Sequence, residues 1–281
     1  MKQNVVVITG ASSGMGKAAA ELFATKGWLV FGGARHSENI PTINNIQALH
    51  LDVTSEESVE NFMNLIWERT DHVDVLINAV GYGEYGPIEE VPLSAIKTEF
   101  STNFFGAIRM TQAILPSMRT NKSGRIINVS SGIGTSYMPT GGYYAASKAA
   151  LQIWSDTLNI EVQPFGIQST IVSPGATKTD FISKMFASFE RNTHPTSVYT
   201  SLMAGVANMS KNYKASATAE DLASVFYRAA TALRPKMRYY KSVSDRMNVY
   251  IARNHPLIWK CLMSRVTKRM MRVSTDNNEE S

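Results

Sequence analysis

Six short apolar runs punctuate the chain: NVVVIT (4–9), WLVFGG (28–33), IQALHL (46–51), VDVLIN (73–78), RIINVS (125–130) and IQSTIV (167–172). Apolar residues fill them almost continuously instead of alternating with polar ones. That pattern belongs to strands covered on both faces, since each face must then offer an apolar side chain. Between the runs lie stretches of helical periodicity at about 14–26, 55–70, 93–120 and 143–164. Thr54 or Ser55, followed by Glu56 and Glu57, supplies a start for the second helix. Strand and helix in turn predict an α/β chain: a doubly wound parallel sheet with right-handed crossovers and helices on both faces. MRYY (237–240) offers a seventh strand.

At 281 residues the chain can build one large domain with a full core. Its 44% hydrophobic and 18% charged residues suit an ordinary soluble protein. The one cysteine, Cys261, excludes an internal disulfide and fits a reducing compartment, so a cytoplasmic location is expected. The start, KQNVVVITG, reads as a strand and turn at once and not as a signal peptide. No apolar run approaches the roughly 18 residues of a membrane span. Asn128-Val-Ser130 matches a glycosylation acceptor, but its setting in an apolar strand argues against modification. The five histidines show no metal-ligand spacing, so no catalytic metal is expected. The formal net charge of +5 conceals an asymmetry. Residues 226–272 hold twelve Lys and Arg against a single acid, Asp245, while sixteen cations and twenty-two acids elsewhere leave the body at −6.

The turn after the first strand reads ITGASSGMGKAA, with Gly10, Gly14 and Gly16 spaced G-x-x-x-G-x-G. Glycines let a backbone turn sharply and approach a pyrophosphate, which the following helix N-terminus stabilises. Three glycines also suit any tight strand–helix turn, but this turn opens a doubly wound pattern, which favours a Rossmann-type dinucleotide site. The second strand ends GGARH. An acidic residue there would bind the ribose 2′-hydroxyl of NAD. Ala34 takes that place and Arg35 follows, and arginine can pair with a 2′-phosphate. NADP(H) is therefore expected over NAD(H). Asp52 could accept from the adenine amino group or could serve as a turn residue ahead of the second helix.

GGYYAASK (141–148) places two tyrosines before a lysine. In a helix, residues four apart share a face, so Tyr144 lies with Lys148 and Tyr143 points about a quarter-turn away. A phenol titrates near 10, and a neighbouring ammonium lowers that value. Tyr144 is the candidate acid/base, and Tyr143 is a wall or packing residue.

Taken in order, TGASSGMG, NVSS, YAASK and SPGATKT resemble the short-chain dehydrogenase/reductase family in its single-domain branch, from about residue 4 to residue 180 and more weakly to about 240. The resemblance implies a hydride transfer between nicotinamide and a small-molecule carbonyl or alcohol. It implies that Ser131 hydrogen-bonds the substrate oxygen, Tyr144 exchanges its proton, Lys148 holds the nicotinamide ribose and Asn103 anchors a water in the proton relay. Along the cofactor it implies Gly10, Ser12, Ser13, Gly14, Met15 and Gly16, then Arg35, Asp52, Val53 and Asn78. Tyr144 and Lys148 follow, with Pro174, Gly175, Thr177 and Thr179 at the carboxamide end. Tyr82, Met138 and Tyr143 would border the substrate. Two departures stand out. Ala79 and Val80 replace Asn and Ala in the family's Asn-Asn-Ala-Gly, and Thr177 stands where a hydrophobic residue is usual.

The same resemblance makes residues 1–244 the catalytic domain, with a substrate lid at about 180–215 that is rich in Phe, Met and Tyr. Residues 245–275 form a basic helical extension and 276–281 a disordered tail. From Pro256 the extension has apolar residues at 257, 258, 261, 262, 266, 270 and 273, with cations mostly on other faces. Such a helix packs on the body or lies against an anionic membrane surface or a partner. No motif accompanies it that would suit nucleic acid. A homo-oligomer is expected. Two other readings stay open: a catalytically idle NADP-binding sensor or scaffold, and a membrane-surface oxidoreductase of steroid or retinoid type.

Overall fold

Seven parallel strands form one sheet in the order β3-β2-β1-β4-β5-β6-β7. They are β1 (Val5–Thr9), β2 (Leu29–Ala34), β3 (Ile46–His50), β4 (Val75–Asn78), β5 (Gly124–Val129), β6 (Ile167–Val172) and the short edge strand β7 (Arg238–Tyr239). The computed structural model describes residues 2–279 apart from 180, 195 and 212–214. Each expected strand is present within two residues of its predicted bounds. The intervening helices are α1 (Gly14–Thr25), α2 (Glu56–Trp67), α3 (Leu93–Phe100), α4 (Gly106–Thr120) and α5 (Gly142–Val162). A π-turn at Ser101–Phe105 joins α3 to α4, so the predicted helix at 93–120 is interrupted in its middle. Ser55 caps α2, its hydroxyl accepting from the Ser58 N–H.

Two apolar layers explain the continuous apolar runs. Val6, Ile8, Val30, Val75 and Ile77 face one side of the sheet, packed by Phe23 of α1 and by Leu222 and Phe226 of α8 (Ala219–Thr231). Val5, Val7, Phe31, Leu76 and Ile126 face the other, under Phe62 and Ile66 of α2 and Met110, Ile114 and Met118 of α4. Side chains alternate between faces along a strand, so a sheet roofed on both sides needs apolar residues at every position. Asn128 is fully buried in β5, where its amide donates to Ser155 and Ser169. The apparent glycosylation acceptor is therefore a core hydrogen-bonding residue.

Beyond β6 the chain builds a cap. Helices α6 (Phe181–Arg191) and α7 (Thr200–Lys211) occupy the expected lid region, and α9 (Val243–Asn254) and α10 (Pro256–Glu279) follow β7. Helix α10 packs along α7. Its inward stripe is not the expected one. Trp259 and Met270 are buried, and Met263 and Val266 are half-buried, whereas Leu257, Ile258 and Leu262 are exposed. The phase is set by Trp259, whose indole N–H donates to the Tyr137 carbonyl at 3.0 Å. The expected stripe mixed two faces, and the side chain of Val273 lies outside those described. The tail expected to be disordered from 276 continues the helix to Glu279, and residues 280 and 281 lie outside the described residues. No helix among the described residues is long and apolar enough to cross a membrane.

The crossing of α7 and α10 has no room for a side chain at Gly205, where a Cβ would lie 2.4 Å from the Met270 carbonyl oxygen. Gly205→Ala and Gly205→Val should therefore both unseat α10. Overpacking costs about 1–3 kcal/mol, or roughly 2–9 °C in melting temperature for a chain near this size. Thermal denaturation of the two variants checks this, and unchanged melting would show that α10 is not held against α7 in this way.

Candidate active site

In a doubly wound sheet the crevice opens where neighbouring crossovers leave in opposite directions, here between β1 and β4 at their carboxyl ends. A cleft of about 560 Å³ lies there. Gly10 and Gly14 take left-handed backbone, φ +74° and +52°, which a side chain disfavours. A Cβ at Gly16 would stand 2.3 Å from the Gly10 carbonyl oxygen. Ser13, at the N-cap of α1, makes no side-chain capping bond, and the first turn holds no acid. The first-turn N–H groups are thus left for an anion. Ser12, Ser13 and Met15 line the same cleft, as do Arg35, Asp52 and Val53. Ala34 is buried at the end of β2 and Arg35 is exposed beyond it, while the nearby Glu38 engages His36 at 3.1 Å. Asp52 organises its turn, its Oδ1 accepting from the Thr54 N–H and hydroxyl at 2.9 and 2.7 Å. These residues fit the pyrophosphate, ribose and adenine of a dinucleotide.

Tyr144 and Lys148 share one face of α5, and both are buried. Burial pushes the Tyr144 phenol above its ordinary range, and a hydrogen bond from Ser131 opposes this. Glu99 adds to the rise, so the phenol is not brought down as expected, although the Lys148 ammonium lies 5.9 Å from the ring centroid. Burial draws Lys148 down to about 8, with Glu99 pulling the other way. The Lys148 ammonium donates to the Val129 carbonyl at the end of β5, 3.0 Å away. Both serines after β5 line the cavity beside Tyr144. Ser130 is structural: its hydroxyl donates to the Lys148 carbonyl and accepts from Gln152. Asn103 sits in the π-turn. Its side chain accepts from the Tyr82 N–H at 3.0 Å and donates to the Tyr82 carbonyl at 2.8 Å. Gly81 separates Lys148 from Asn103, and a Cβ there would lie 2.9 Å from the Lys148 Nζ and 3.0 Å from the Asn103 Oδ1.

A second cavity of about 340 Å³ adjoins the cleft. Met15, Thr179 and Phe181 line both. Its polar lining includes Ser131 and Tyr144, and Tyr85, Ile133, Met138, Met185, Val206 and Met270 make most of the rest apolar. Pro174, Gly175 and Thr177 also border it. Asp245 of α9 covers Gly175, where a Cβ would fall 2.0 Å from the Asp245 Oδ1.

Three expected positions differ. Tyr82 lines the first cleft and not the second cavity. Tyr143 turns away from both, its hydroxyl donating to the Ile88 carbonyl at 2.7 Å. Asn78 is buried beneath the cleft, donating to Asn128 at 2.9 Å, so Ala79 and Val80 present themselves to the cleft instead. Sequence reasoning missed Tyr85, whose ring centroid is 5.7 Å from that of Tyr144. It also missed Phe181, at 5.3 Å, and the buried Glu99. Tyr85 and Phe181 belong to no motif. Glu99 carried a signal, a lone acid one turn before Asn103 on the same helical face.

The family described as short chain dehydrogenase matches residues 4–189. The chain is 40% identical over 182 residues to 3-ketodihydrosphingosine reductase of Bacteroides thetaiotaomicron, a stretch covering 64% of this chain and 66% of that relative. An uncharacterized oxidoreductase of Bacillus subtilis is 32% identical over 251 residues, 85% of this chain and 89% of its own. Among solved structures, a short-chain dehydrogenase from Streptomyces avermitilis superposes with a TM-score of 0.80 at 27% identity, covering 95% of this chain and 98% of the other. The chain therefore belongs to the short-chain dehydrogenase/reductase family and is an oxidoreductase.

Proposed function

We propose that the protein interconverts a carbonyl and an alcohol on a bulky, lipid-like substrate with NADP(H), through Ser131, Tyr144, Lys148 and Asn103. The observation that carries this is the second cavity, whose lining is mostly apolar and includes Ser131 and Tyr144. An idle sensor would have no use for a buried phenol–ammonium pair beside this cavity. The relative that reduces a 3-keto sphingoid base, by its name, points to the same class of substrate. Residues 245–275 belong to this reading as an extension that closes the cavity through Met270.

When bound, the nicotinamide supplies the hydride in reduction and accepts it in oxidation. Ser131 donates a hydrogen bond to the substrate oxygen, and the Tyr144 hydroxyl gives up its proton as that oxygen becomes a hydroxyl. Lys148 holds the ribose and places a positive charge beside the phenolate left behind. Asn103 fixes the loop at Tyr82, and Gly81 lets that loop pass between Asn103 and Lys148. Arg35 pairs with the 2′-phosphate.

A second reading concerns where the substrate comes from. Leu257, Ile258 and Leu262 are exposed on α10 among Lys260 and Arg265, which suits an anionic bilayer surface. Cosedimentation should then show binding to vesicles containing anionic lipid and not to purely zwitterionic ones, with loss in a Leu257→Ser, Ile258→Ser, Leu262→Ser variant. Equal recovery of wild type and variant removes this reading.

Tyr144→Phe should lower turnover by about 10²–10⁴-fold, the range of general acid–base catalysis. Tyr143→Phe, which loses only the bond to Ile88, should stay within about threefold of wild type, since such a bond is worth about 1 kcal/mol of stability. Cofactor oxidation with long-chain ketones and aldehydes checks both, and comparable losses would dissolve the assignment. Arg35→Ala should weaken NADPH about tenfold or more and leave NADH nearly unchanged, since a charge-assisted bond contributes about 1.5–3 kcal/mol. Equal weakening in calorimetric titrations would remove Arg35 from the phosphate site.

A further inference from the structure

Helix α6 borders both cavities. Successive residues of a helix turn by about 100°, so its side chains reach the two on adjacent faces. Lys184, Ala187, Ser188 and Arg191 line the first cleft. Ile182 and Met185 line the second cavity. The loop after β4 grips the carboxyl end of this helix. The Tyr85 N–H donates to the Ser188 hydroxyl at 3.0 Å, and the Asn192 amide donates to the Tyr85 carbonyl at 2.9 Å. The two segments press so closely that a Cβ at Gly86 would lie 2.9 Å from the Asn192 Cβ. Glu84, in the same loop, is 2% exposed. The Arg191 Nη2 donates to its Oε1 at 2.7 Å and to its Oε2 at 3.0 Å. The Asn192 amide also donates to Oε1, at 2.7 Å. On its other side the loop is fixed to α3, where the Glu84 N–H donates to the Glu99 Oε1 at 3.0 Å. Glu84 itself lines neither cavity.

We propose that Glu84 is a positioning residue whose carboxylate latches α6 closed through Arg191 and Asn192 and thereby sets how fast the cofactor leaves. The proposal rests on the first cleft holding the nicotinamide cofactor and not on the identity of the substrate. A buried carboxylate is tolerated when charged and hydrogen-bonding groups surround it, and removing one member of such a pair is strongly unfavourable. Three of the hydrogen bonds to the Glu84 side chain come from Arg191, the last residue of α6, and from Asn192 just after it. Lifting α6 therefore strips these partners from a carboxylate that stays anchored to α3 through its own backbone. A cofactor seated in the cleft leaves as Ala187, Ser188 and Arg191 swing away from it, so release must break the latch. The same movement withdraws Ile182 and Met185 from the second cavity, so one ion pair keeps both compartments closed.

Stopped-flow displacement of NADPH from the full chain, read by nicotinamide fluorescence, measures release directly and needs no substrate. Glu84→Gln keeps the side-chain shape and removes the charge. Its release rate should rise about tenfold or more, because the bond weakened is charge-assisted. Association should stay within about twofold, as is usual when a change acts on dissociation. Arg191→Gln should release NADPH equally fast, and the double variant should be no faster than either single one, since both changes open the same latch. In the cofactor-free chain, amide hydrogen exchange should quicken across residues 182–192 in Glu84→Gln and hold in α1 and α5. A wild-type release rate in Glu84→Gln overturns the proposal. So does a double variant in which the two effects multiply, because Arg191 would then act on the cofactor without Glu84. Should Glu84→Gln fail to fold, Arg191→Gln, whose side chain is 59% exposed, carries the exchange measurement. Faster exchange in α6 then supports the latch, and unchanged exchange overturns it. A wild-type chain that bound no NADPH would remove the cofactor reading instead, and the exchange measurement, made without cofactor, would still decide the latch.

Discussion

A lysine ammonium buried behind the ends of β4 and β5 is the constraint around which the site is arranged. Lys148 is only 4% exposed, and taking such a charge from water costs several kcal/mol unless its surroundings compensate. Three features compensate here. The last carbonyl of β5 accepts from it, the Glu99 carboxyl lies within its field, and the Tyr144 ring stands beside it. Gly81 matters for the same reason, because any side chain there would press on the ammonium. The π-turn has a geometric part in this. It interrupts the long helix at Asn103 and lets that side chain grip both backbone groups of Tyr82.

From that pair outward, polarity falls off in one direction. The first cleft is lined by backbone, serines, Arg35 and Asp52, whereas the second cavity is mostly apolar. Tyr144 belongs to both worlds. Its ring packs in the cluster of Tyr85, Phe189, Leu202, Met203, Val206 and Met270, and its hydroxyl meets Ser131. The burial that raises its pKa is the same burial that shapes the cavity. A site that dries the phenol this thoroughly keeps it protonated, which suits a donor of protons. Only the Ser131 hydrogen bond works the other way, toward the phenolate.

The fold and the Tyr144–Lys148 face were legible because they are local. Continuous apolar runs, glycines after β1 and a helical four-residue spacing each follow from neighbours in sequence, and the strands, α1 and the Tyr144–Lys148 face stand where those rules put them. What local rules could not give was the direction of a side chain settled by distant chain. Tyr143 turns to Ile88, and Asn78 is held under the sheet by Asn128. Tyr82 is drawn to the cofactor side by Asn103. The phase of α10 follows the same lesson. Its apolar residues cover two faces, and only the contact of Trp259 with Tyr137 decides which one turns inward.

That decision ties the basic extension to the reaction cavity. An outward-facing Met270 would leave the cavity open on the side of α7. Turned inward, Met270 is 3% exposed and lines the cavity with Val206. The same rotation leaves Leu257, Ile258 and Leu262 in solvent beside Lys260 and Arg265. One helix thereby lines the second cavity with one face and offers an apolar, cationic face to the outside. The composition that set this segment apart in the sequence is the sum of those two faces. Neither face alone requires twelve cations against one acid. On α10, Lys260, Arg265, Lys268 and Arg269 lie exposed, where cations remain hydrated, while Trp259 and Met270 are buried.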